Sequence, residues 1–123
     1  MGETDRELWT QARAGDAEAF GKLFDRHFRA VYDFCFWRTA DAGLAEDLAA
    51  AVFLETWRHR ARAPLFEDTA RPWLLGVATN LLRNHWRSVR RRQAALRRLP
   101  ALAPESDFAD DLASRLDAQA RTL

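Results

Sequence analysis

Residues 71–92 decide the fold, and they read RPWLLGVATNLLRNHWRSVRRR. Apolar residues recur in this stretch at the 3.6-residue spacing of an α-helix, which predicts that one face of the helix is buried. The predicted buried stripe consists of Leu74, Val77, Ala78 and Leu81, with Leu75, Leu82, Trp86 and Val89 in the neighbouring row. The opposite stripe is polar and cationic, and it consists of Gly76, Asn80, Arg83, Arg87, Arg90 and Arg91.

This cationic stripe has the residue types that bind nucleic acid. Arginine binds phosphate through two parallel hydrogen bonds and stacks on bases, and asparagine can hydrogen-bond a base edge. A helix buried on one side and carrying Asn80 and Arg83 on the other therefore predicts a nucleic-acid surface. Charge alone leaves an equal alternative, a solvated basic face without a ligand.

Outside this stretch, length and composition indicate one helical domain. The chain has 123 residues, with five Trp and eight Phe to fill a core and only five Gly and four Pro to interrupt helices. We find no secretory signal and no apolar run near the roughly 20 residues of a membrane span. The single cysteine, Cys35, lies in an apolar run and is interpreted as core filler. These features predict a cytoplasmic protein.

Charge is distributed unevenly although the net charge is only +1. Residues 1–57 carry six basic and eleven acidic side chains, whereas residues 58–98 carry eleven arginines and two acids. Residues 99–123 are acidic again, with two arginines and five acids. A basic zone between acidic segments predicts a polyanion-binding face beside a protein-binding face.

Helix signals divide the rest of the chain into an all-α bundle of about four helices. Helix one is predicted from Thr4 to Ala14, helix two from Asp16 to Thr39, and helix three from Leu44 to Arg60 after a break at Asp41-Ala42-Gly43. Residues 61–70 are predicted to form a loop before helix four, which extends from Arg71 as far as Arg98. The tail is predicted to be helical over residues 107–123, or else disordered.

Capping residues support these boundaries. Thr4 followed by Glu7 is a capping box, and Asp16 with Glu18 marks the start of helix two. Asp68 or Thr69 can cap helix four, and Pro72 falls in its first turn, where proline is tolerated.

Catalytic chemistry is not indicated by the residues. His27, His59 and His85 lack the spacing of metal ligands, Cys35 has no neighbouring base, and no phosphate-binding glycine loop is present. We therefore predict no enzyme activity, no cofactor and no metal site. His27 and His85 are expected at the edges of helix faces.

Most aromatic residues are expected in the core, but two are ambiguous. Trp73 could shape a pocket beside the loop or belong to the core. Phe66 lies in the polar loop next to the basic helix, where it could pack locally or stack on an exposed base.

Several segments together resemble region 2 of the extracytoplasmic-function (group IV) sigma factors of bacterial RNA polymerase. Their order and spacing match over roughly residues 5–95. The segments are Asp16-Ala17-Glu18-Ala19-Phe20 with Leu23-Phe24-Asp25-Arg26-His27 and Val31-Tyr32; Ala45-Glu46-Asp47-Leu48 with Val52-Phe53-Leu54 and Trp57-Arg58; and Trp73-Leu74 with Val77-Ala78-Thr79-Asn80 and Arg83-Asn84 through Arg92.

The resemblance implies a role in transcription initiation without catalysis. Helix three would bind the clamp helices of the polymerase largest subunit. The loop and helix four would capture the single-stranded non-template strand of the minus-ten promoter element, and an anti-sigma factor is a further implied partner. The implied polymerase-binding residues are Asp47, Leu54, Glu55 and Arg58. The implied DNA-binding residues are Arg62, Phe66, Glu67, Asp68, Thr69, Asn80, Arg83, Asn84, Arg87 and Arg91.

Two departures from the family pattern accompany this resemblance. Family members usually carry Gln and an acidic residue where this chain has Ala50 and Ala51, so two polar polymerase contacts are expected to be missing. Residues 1–95 correspond to region 2 and residues 96–123 to a linker leading toward region 4, which is absent from the sequence. A helical protein-interaction module without DNA readout is the alternative function, and a helical enzyme domain is disfavoured by the missing catalytic set.

Overall fold

Four helices account for most of the residues that the structure, a computed structural model, describes, namely residues 2–64 and 68–99. They are α1 (Asp5–Arg13), α2 (Ala17–Thr39), α3 (Ala42–Arg58) and α4 (Arg71–Arg97), with no strand among the described residues. The all-α prediction is confirmed. The predicted tail helix at 107–123 lies outside the described residues, as do Phe66 and Glu67 of the loop.

Local side-chain caps begin the first two helices as predicted. The Thr4 hydroxyl accepts a hydrogen bond from the backbone N–H of Glu7 at 3.1 Å, and an Asp16 carboxylate oxygen accepts from Glu18 and Ala19. Between the helices, Gly15 adopts a φ of +105°, a backbone conformation that residues with a Cβ atom rarely adopt. Cap and glycine together fix the turn from α1 into α2.

The junction between α2 and α3 falls slightly earlier than predicted. Ala40 ends α2 in the left-handed conformation, with a φ of +54°, and Asp41 caps α3 by accepting from the N–H of Leu44 at 3.1 Å. Ala42 and Gly43 are therefore helical rather than part of the break, and α3 ends at Arg58 instead of Arg60. The difference arises because the carboxylate of Asp41 satisfies one of the orphan N–H groups in the first turn of α3, that of Leu44.

Helix α4 begins without the predicted side-chain cap. Its N-cap residue is Ala70, and Pro72 lies in the first turn as expected. The Thr69 hydroxyl accepts from the N–H of Arg71 at 3.2 Å but donates to Asp5, and Asp68 is exposed. Tertiary contacts, described below, hold this end of α4 in place of a local cap.

Helix α2 is the centre of the bundle, since it packs against α1, α3 and α4, while α3 also packs against α4. The core between these helices contains Leu8, Trp9, Val31, Val52 and Leu74. Phe20, Phe24 and Phe28 of α2 extend it around Phe53, with the Phe24 and Phe53 ring centroids 4.8 Å apart. This packing confirms the assignment of these aromatic residues to the core.

Cys35 is fully buried, and this burial raises the pKa of its thiol to about 11. A thiol with a raised pKa is unreactive at neutral pH, so the predicted role of Cys35 as core filler is confirmed. None of the helices within residues 2–64 and 68–99 combines the length and the apolar character needed to span a bilayer.

Candidate nucleic-acid interface

One side of α4 holds the helix to the core, and the other side is open to solvent. Leu74, Ala78, Leu82 and Val89 are buried, and the other members of the predicted apolar stripe, Val77, Leu81, Leu75 and Trp86, are half-buried. The sequence prediction of the anchoring face is therefore confirmed. Trp73 is half-buried and packs against the core, which is the second of its two predicted roles.

The open side of α4 carries the polar side chains singled out from the sequence. All of them are exposed, and those at positions 80, 84, 87 and 91 follow one row of the helix at spacings of four, three and four residues. We call this row and Arg83 the α4 face; its residues are Asn80, Arg83, Asn84, Arg87 and Arg91. A rigid helix thus presents two amides and three guanidinium groups to a ligand.

A groove between α2 and α4 adjoins the α4 face. It has a volume of about 760 Å³ and its lining contains no acidic residue. Helix α2 contributes Trp37 and Arg38, and the indole of Trp37 is 71% exposed. The remaining lining residues, all from α4, are Thr79, Leu82, Arg83, Trp86, Arg87 and Arg90.

Trp37 is an apolar residue of α2, but it does not lie on the buried side of that helix. The buried positions of α2 recur every four residues and end with Val31, Cys35 and Thr39. Trp37 lies about half a turn from both Cys35 and Thr39, on the opposite side of the helix. That four-residue period is the signal that could have identified Trp37 as a surface residue.

A buried carboxylate, that of Asp5, fixes the start of α4 to α1 and α2. Its Oδ1 accepts from Arg26 at 2.7 Å. Its Oδ2 accepts from the N–H of Ala70 at 2.7 Å and from the Thr69 hydroxyl at 3.0 Å, and it lies 2.6 Å from His27 Nε2. We call these five residues the Asp5 cluster. Asp5 and His27 are only 4% and 3% exposed, so the prediction that His27 lies at the edge of a helix face was wrong.

The Asp5 cluster stabilises the charged form of the carboxyl. Burial by itself would raise the pKa of Asp5, but hydrogen bonds from the Ala70 N–H, Arg26 and His27 outweigh burial and lower the pKa to about 2. Asp5 is therefore ionised at neutral pH. The contact from Asp5 to Ala70 spans 65 residues, which is why helix periodicity and capping patterns did not reveal it.

The described residues of the predicted loop differ in their surroundings. Arg62 and Asp68 are exposed, whereas the Thr69 hydroxyl is engaged by Asp5. Ala63 and Ala70 are buried on either side of the loop and tie its two ends to the core. Phe66 and Glu67 lie outside the described residues, so both roles predicted for Phe66 remain predictions.

Helix α3 carries a second exposed surface that includes the residues expected to bind polymerase. Asp47, Leu54 and Arg58 are exposed, and the Leu54 side chain is 54% exposed. Glu55 is half-buried and pairs with Arg58 and His59, each at 3.2 Å. Ala50 is exposed beside these residues and Ala51 is half-buried.

No group of three or more His, Cys, Asp or Glu side chains in the described part of the chain could hold a metal ion. The exposed surfaces described above offer amide groups, guanidinium groups and an indole ring.

Comparison with known proteins relates these surfaces to one family. Residues 23–92 match the sequence profile described as Sigma-70 region 2, which includes most of α2, all of α3 and α4 as far as Arg92. No solved structure gives a significant match.

Curated relatives were also found. The chain is 35% identical over 86 residues to the ECF RNA polymerase sigma factor BldN of Streptomyces coelicolor, a match that covers 70% of this chain and 33% of that protein. It is 31% identical over 109 residues to the ECF RNA polymerase sigma factor SigL of Mycobacterium tuberculosis, covering 86% and 60%. It is 37% identical over 101 residues to the RNA polymerase sigma factor CarQ of Myxococcus xanthus, covering 80% and 56%. The chain thus spans between a third and three fifths of the length of these relatives.

Proposed function

The chain belongs to the sigma-70 region 2 family, and we propose that it is a domain of an alternative sigma factor that binds RNA polymerase and recognises and melts the minus-ten promoter element. The observation that carries this proposal is the α4 face, which exposes Asn80, Asn84 and three arginines on a helix buried along its other side. The role is non-catalytic, because capture of an unpaired strand stabilises melted DNA without a covalent step.

The energetics of strand capture agree with these residue types. Unstacking a base costs a few kcal/mol, and stacking it on a protein ring returns about 1–3 kcal/mol per base. Phosphate contacts from arginine supply much of the remaining affinity and make it sensitive to salt. We assign Arg83, Arg87 and Arg91 to phosphates, and Asn80 and Asn84 to base edges.

The loop completes the proposed promoter site. Arg62, Asp68 and Thr69 are assigned to it together with Phe66 and Glu67, and Phe66 is the ring proposed to stack on an unpaired base. The Asp5 cluster supports this assignment because it fixes Thr69 and Ala70, and so the loop's second end, against the bundle.

The first test concerns sequence readout by Asn80. A well-placed asparagine contributes about 1–3 kcal/mol of discrimination between bases. We expect Asn80→Ala to reduce the ratio of affinities for a preferred and a scrambled single-stranded oligonucleotide by about 5- to 150-fold. Fluorescence anisotropy with labelled oligonucleotides measures this ratio.

Gln11→Ala, which removes an exposed amide from α1, is the control and should leave the ratio unchanged. A wild-type protein without any sequence preference would contradict the proposal, as would an Asn80→Ala variant with the wild-type ratio.

We propose that the exposed surface of α3 binds the clamp helices of the polymerase largest subunit, through Asp47, Leu54, Glu55 and Arg58. Leu54 is the apolar centre of this surface and is 54% exposed in the isolated chain. Burying a leucine in an interface is worth about 1.5–3 kcal/mol. Ala50 and Ala51 offer no polar group there, which favours weaker binding than the family pattern provides.

Leu54→Ala is expected to weaken binding to a clamp-helix fragment by about tenfold or more, because truncation removes most of this apolar contact. Pull-down or calorimetric titration with the fragment measures the change. Leu99→Ala is a matched control, since Leu99 is 49% exposed at the end of α4. Equal retention of the fragment by both variants would refute the assignment of Leu54.

A helical module that binds polymerase or an anti-sigma factor without reading DNA is the second candidate, and the exposed Leu54 is the observation that favours it. This candidate predicts that an Arg83→Ala/Arg87→Ala double variant keeps its full function.

Under the leading proposal, residues 1–95 form the recognition domain and residues 96–123 lead toward a region 4.

A further inference from the structure

We propose that the groove between α2 and α4 is a second nucleic-acid subsite, in which the indole of Trp37 stacks on an unpaired base and the surrounding arginines hold the flanking phosphates. This inference rests on the proposed function, which it extends from α4 to α2. It assigns roles to Trp37 and Arg38, which neither the sequence motif nor the α4 face includes.

The exposure of Trp37 is the first observation that supports this subsite. Tryptophan has the largest apolar side chain, yet Trp37 is 71% exposed, more than Leu54 or Leu99. Cys35 and Thr39, which lie two residues before and after it on α2, are fully buried, so burial of Trp37 is prevented by the side of the helix on which it lies. An exposed indole at the mouth of a groove is a suitable platform for a base, because every base has a flat π face.

Arg38 is held in a defined position beside Trp37. Its guanidinium carbon lies 3.5 Å from the centroid of the Phe34 ring, and its Nη1 donates to the Phe34 carbonyl at 3.0 Å. A cation–π contact and a hydrogen bond within α2 restrict the side chain before a ligand binds. A phosphate that binds there meets a preorganised donor, which lowers the entropic cost of binding.

The charge of the groove identifies its ligand as an anion. Arg38 faces Arg83, Arg87 and Arg90 of α4 across the groove, and no acidic residue lines it. None of these four arginines forms an ion pair within the described ranges 2–64 and 68–99. Four guanidinium groups without carboxylate partners complement a chain of phosphates.

The combination of rings and arginines favours single-stranded nucleic acid over the other polyanions. Trp37 is exposed and Trp86 is half-buried along the same groove, so that two indoles and four guanidinium groups line it together. Paired bases in a duplex cannot stack on such rings, whereas unpaired bases can. An acidic protein helix would satisfy the arginines but would leave the exposed face of Trp37 without a flat partner.

Arg87 connects this groove with the α4 face. It belongs to the row at 80, 84, 87 and 91, and it also lines the groove with Arg83 and Arg90, which are four residues before it and three after it. The row at 80, 84, 87 and 91 and the groove positions 83, 87 and 90 lie on the same helix, and they share the guanidinium of Arg87. A strand bound at Asn80 can therefore continue past Arg87 into the groove without crossing an acidic surface.

The test uses the full 123-residue chain and a fluorescein-labelled 12-nucleotide single strand, read by anisotropy and by tryptophan emission. Loss of one stacked base costs about 5- to 150-fold in affinity, so Trp37→Ala should weaken binding of strands of any sequence by this factor. Trp37→Phe should retain most of the affinity, because it keeps a ring, while losing the quenching of Trp37 emission. Arg38→Ala should lower the slope of log affinity against log salt concentration by about 0.7.

Arg29→Ala is the matched control for Arg38, because Arg29 also lies on α2 but is 86% exposed outside the groove. Circular dichroism should confirm that all variants fold, as expected for exposed positions. Wild-type binding by Trp37→Ala would overturn the subsite. The subsite would also be overturned if Trp37→Ala weakened binding of a clamp-helix fragment but not of oligonucleotides, because the groove would then be a protein surface.

Failure of this inference is distinguishable from failure of the proposed function. If Asn80→Ala removes a wild-type sequence preference while Trp37→Ala binds normally, only the subsite is refuted. If wild type has no sequence preference but Trp37→Ala still binds single strands more weakly, promoter recognition is refuted and the groove remains a strand-binding site.

Discussion

Replacing Asp5 by alanine is expected to lower the free energy of unfolding by about 3 kcal/mol and the Tm by about 12 °C or more. The carboxylate is 4% exposed and joins α1, α2 and the start of α4 through Arg26, His27, Thr69 and Ala70. Its removal leaves the buried N–H of Ala70 without an acceptor and deprives Arg26 of its partner. An unsatisfied buried group such as this N–H costs about 1–3 kcal/mol, and the buried His27 also loses its hydrogen-bond partner.

The pH dependence of this stabilisation has a definite direction. The pKa of Asp5 is lowered from 3.8 to about 2 in the folded protein, so ionised Asp5 stabilises the fold at pH values above about 4. This contribution, about 2 kcal/mol, is lost as the pH falls from about 4 to 2. Urea unfolding of the wild type should therefore show a steeper loss of stability over this range than Asp5→Asn, which cannot titrate.

Asp33→Ala is a suitable control for the loss of a carboxylate. Asp33 forms an ion pair with Arg29 at 3.1 Å on the surface of α2, where such pairs contribute less than about 1 kcal/mol. If Asp5→Ala and Asp33→Ala lowered the free energy of unfolding equally, the structural role of the Asp5 cluster would be refuted.

The sequence predicted interactions between residues close together in the chain and missed those between residues far apart. The caps of Thr4 and Asp16 are formed by side chains within three residues of their targets, so their patterns were visible in the sequence. The Asp5 cluster connects positions up to 65 residues apart. The helical period places Asp5 on the buried side of α1 and His27 on the buried side of α2, but only the packing of three helices brings them together.

The candidate site shows the same division. The α4 face follows from the periodicity of a single helix, and the structure exposes each of its residues. The groove depends on how α2 packs against α4, which no single-helix pattern specifies. Trp37 is large and apolar, yet its position half a turn from Cys35 places it on the surface beside α4.

Reversing the charge of Arg83 and Arg87 together is expected to lower affinity for a single-stranded minus-ten oligonucleotide by at least about 100-fold. A hydrogen bond to a charged group contributes about 1.5–3 kcal/mol, so two lost phosphate contacts amount to about 3 kcal/mol or more. Glutamate at both positions adds repulsion from the phosphates. Both arginines are exposed, and the free energy of unfolding should therefore change by less than about 1 kcal/mol.

An Arg6→Glu/Arg29→Glu variant has the same net charge as Arg83→Glu/Arg87→Glu, but its two substitutions lie on exposed positions of α1 and α2. Comparison of the two variants separates local contacts from a general effect of net charge, which salt screens within about 10 Å at 0.1 M. Anisotropy titrations at several salt concentrations should show a slope of log affinity against log salt concentration that is reduced by about 1.4 for Arg83→Glu/Arg87→Glu but not for Arg6→Glu/Arg29→Glu. Equal loss of affinity in both variants would mean that the basic zone attracts DNA only by its overall charge. It would then remove the α4 face as the site of strand recognition.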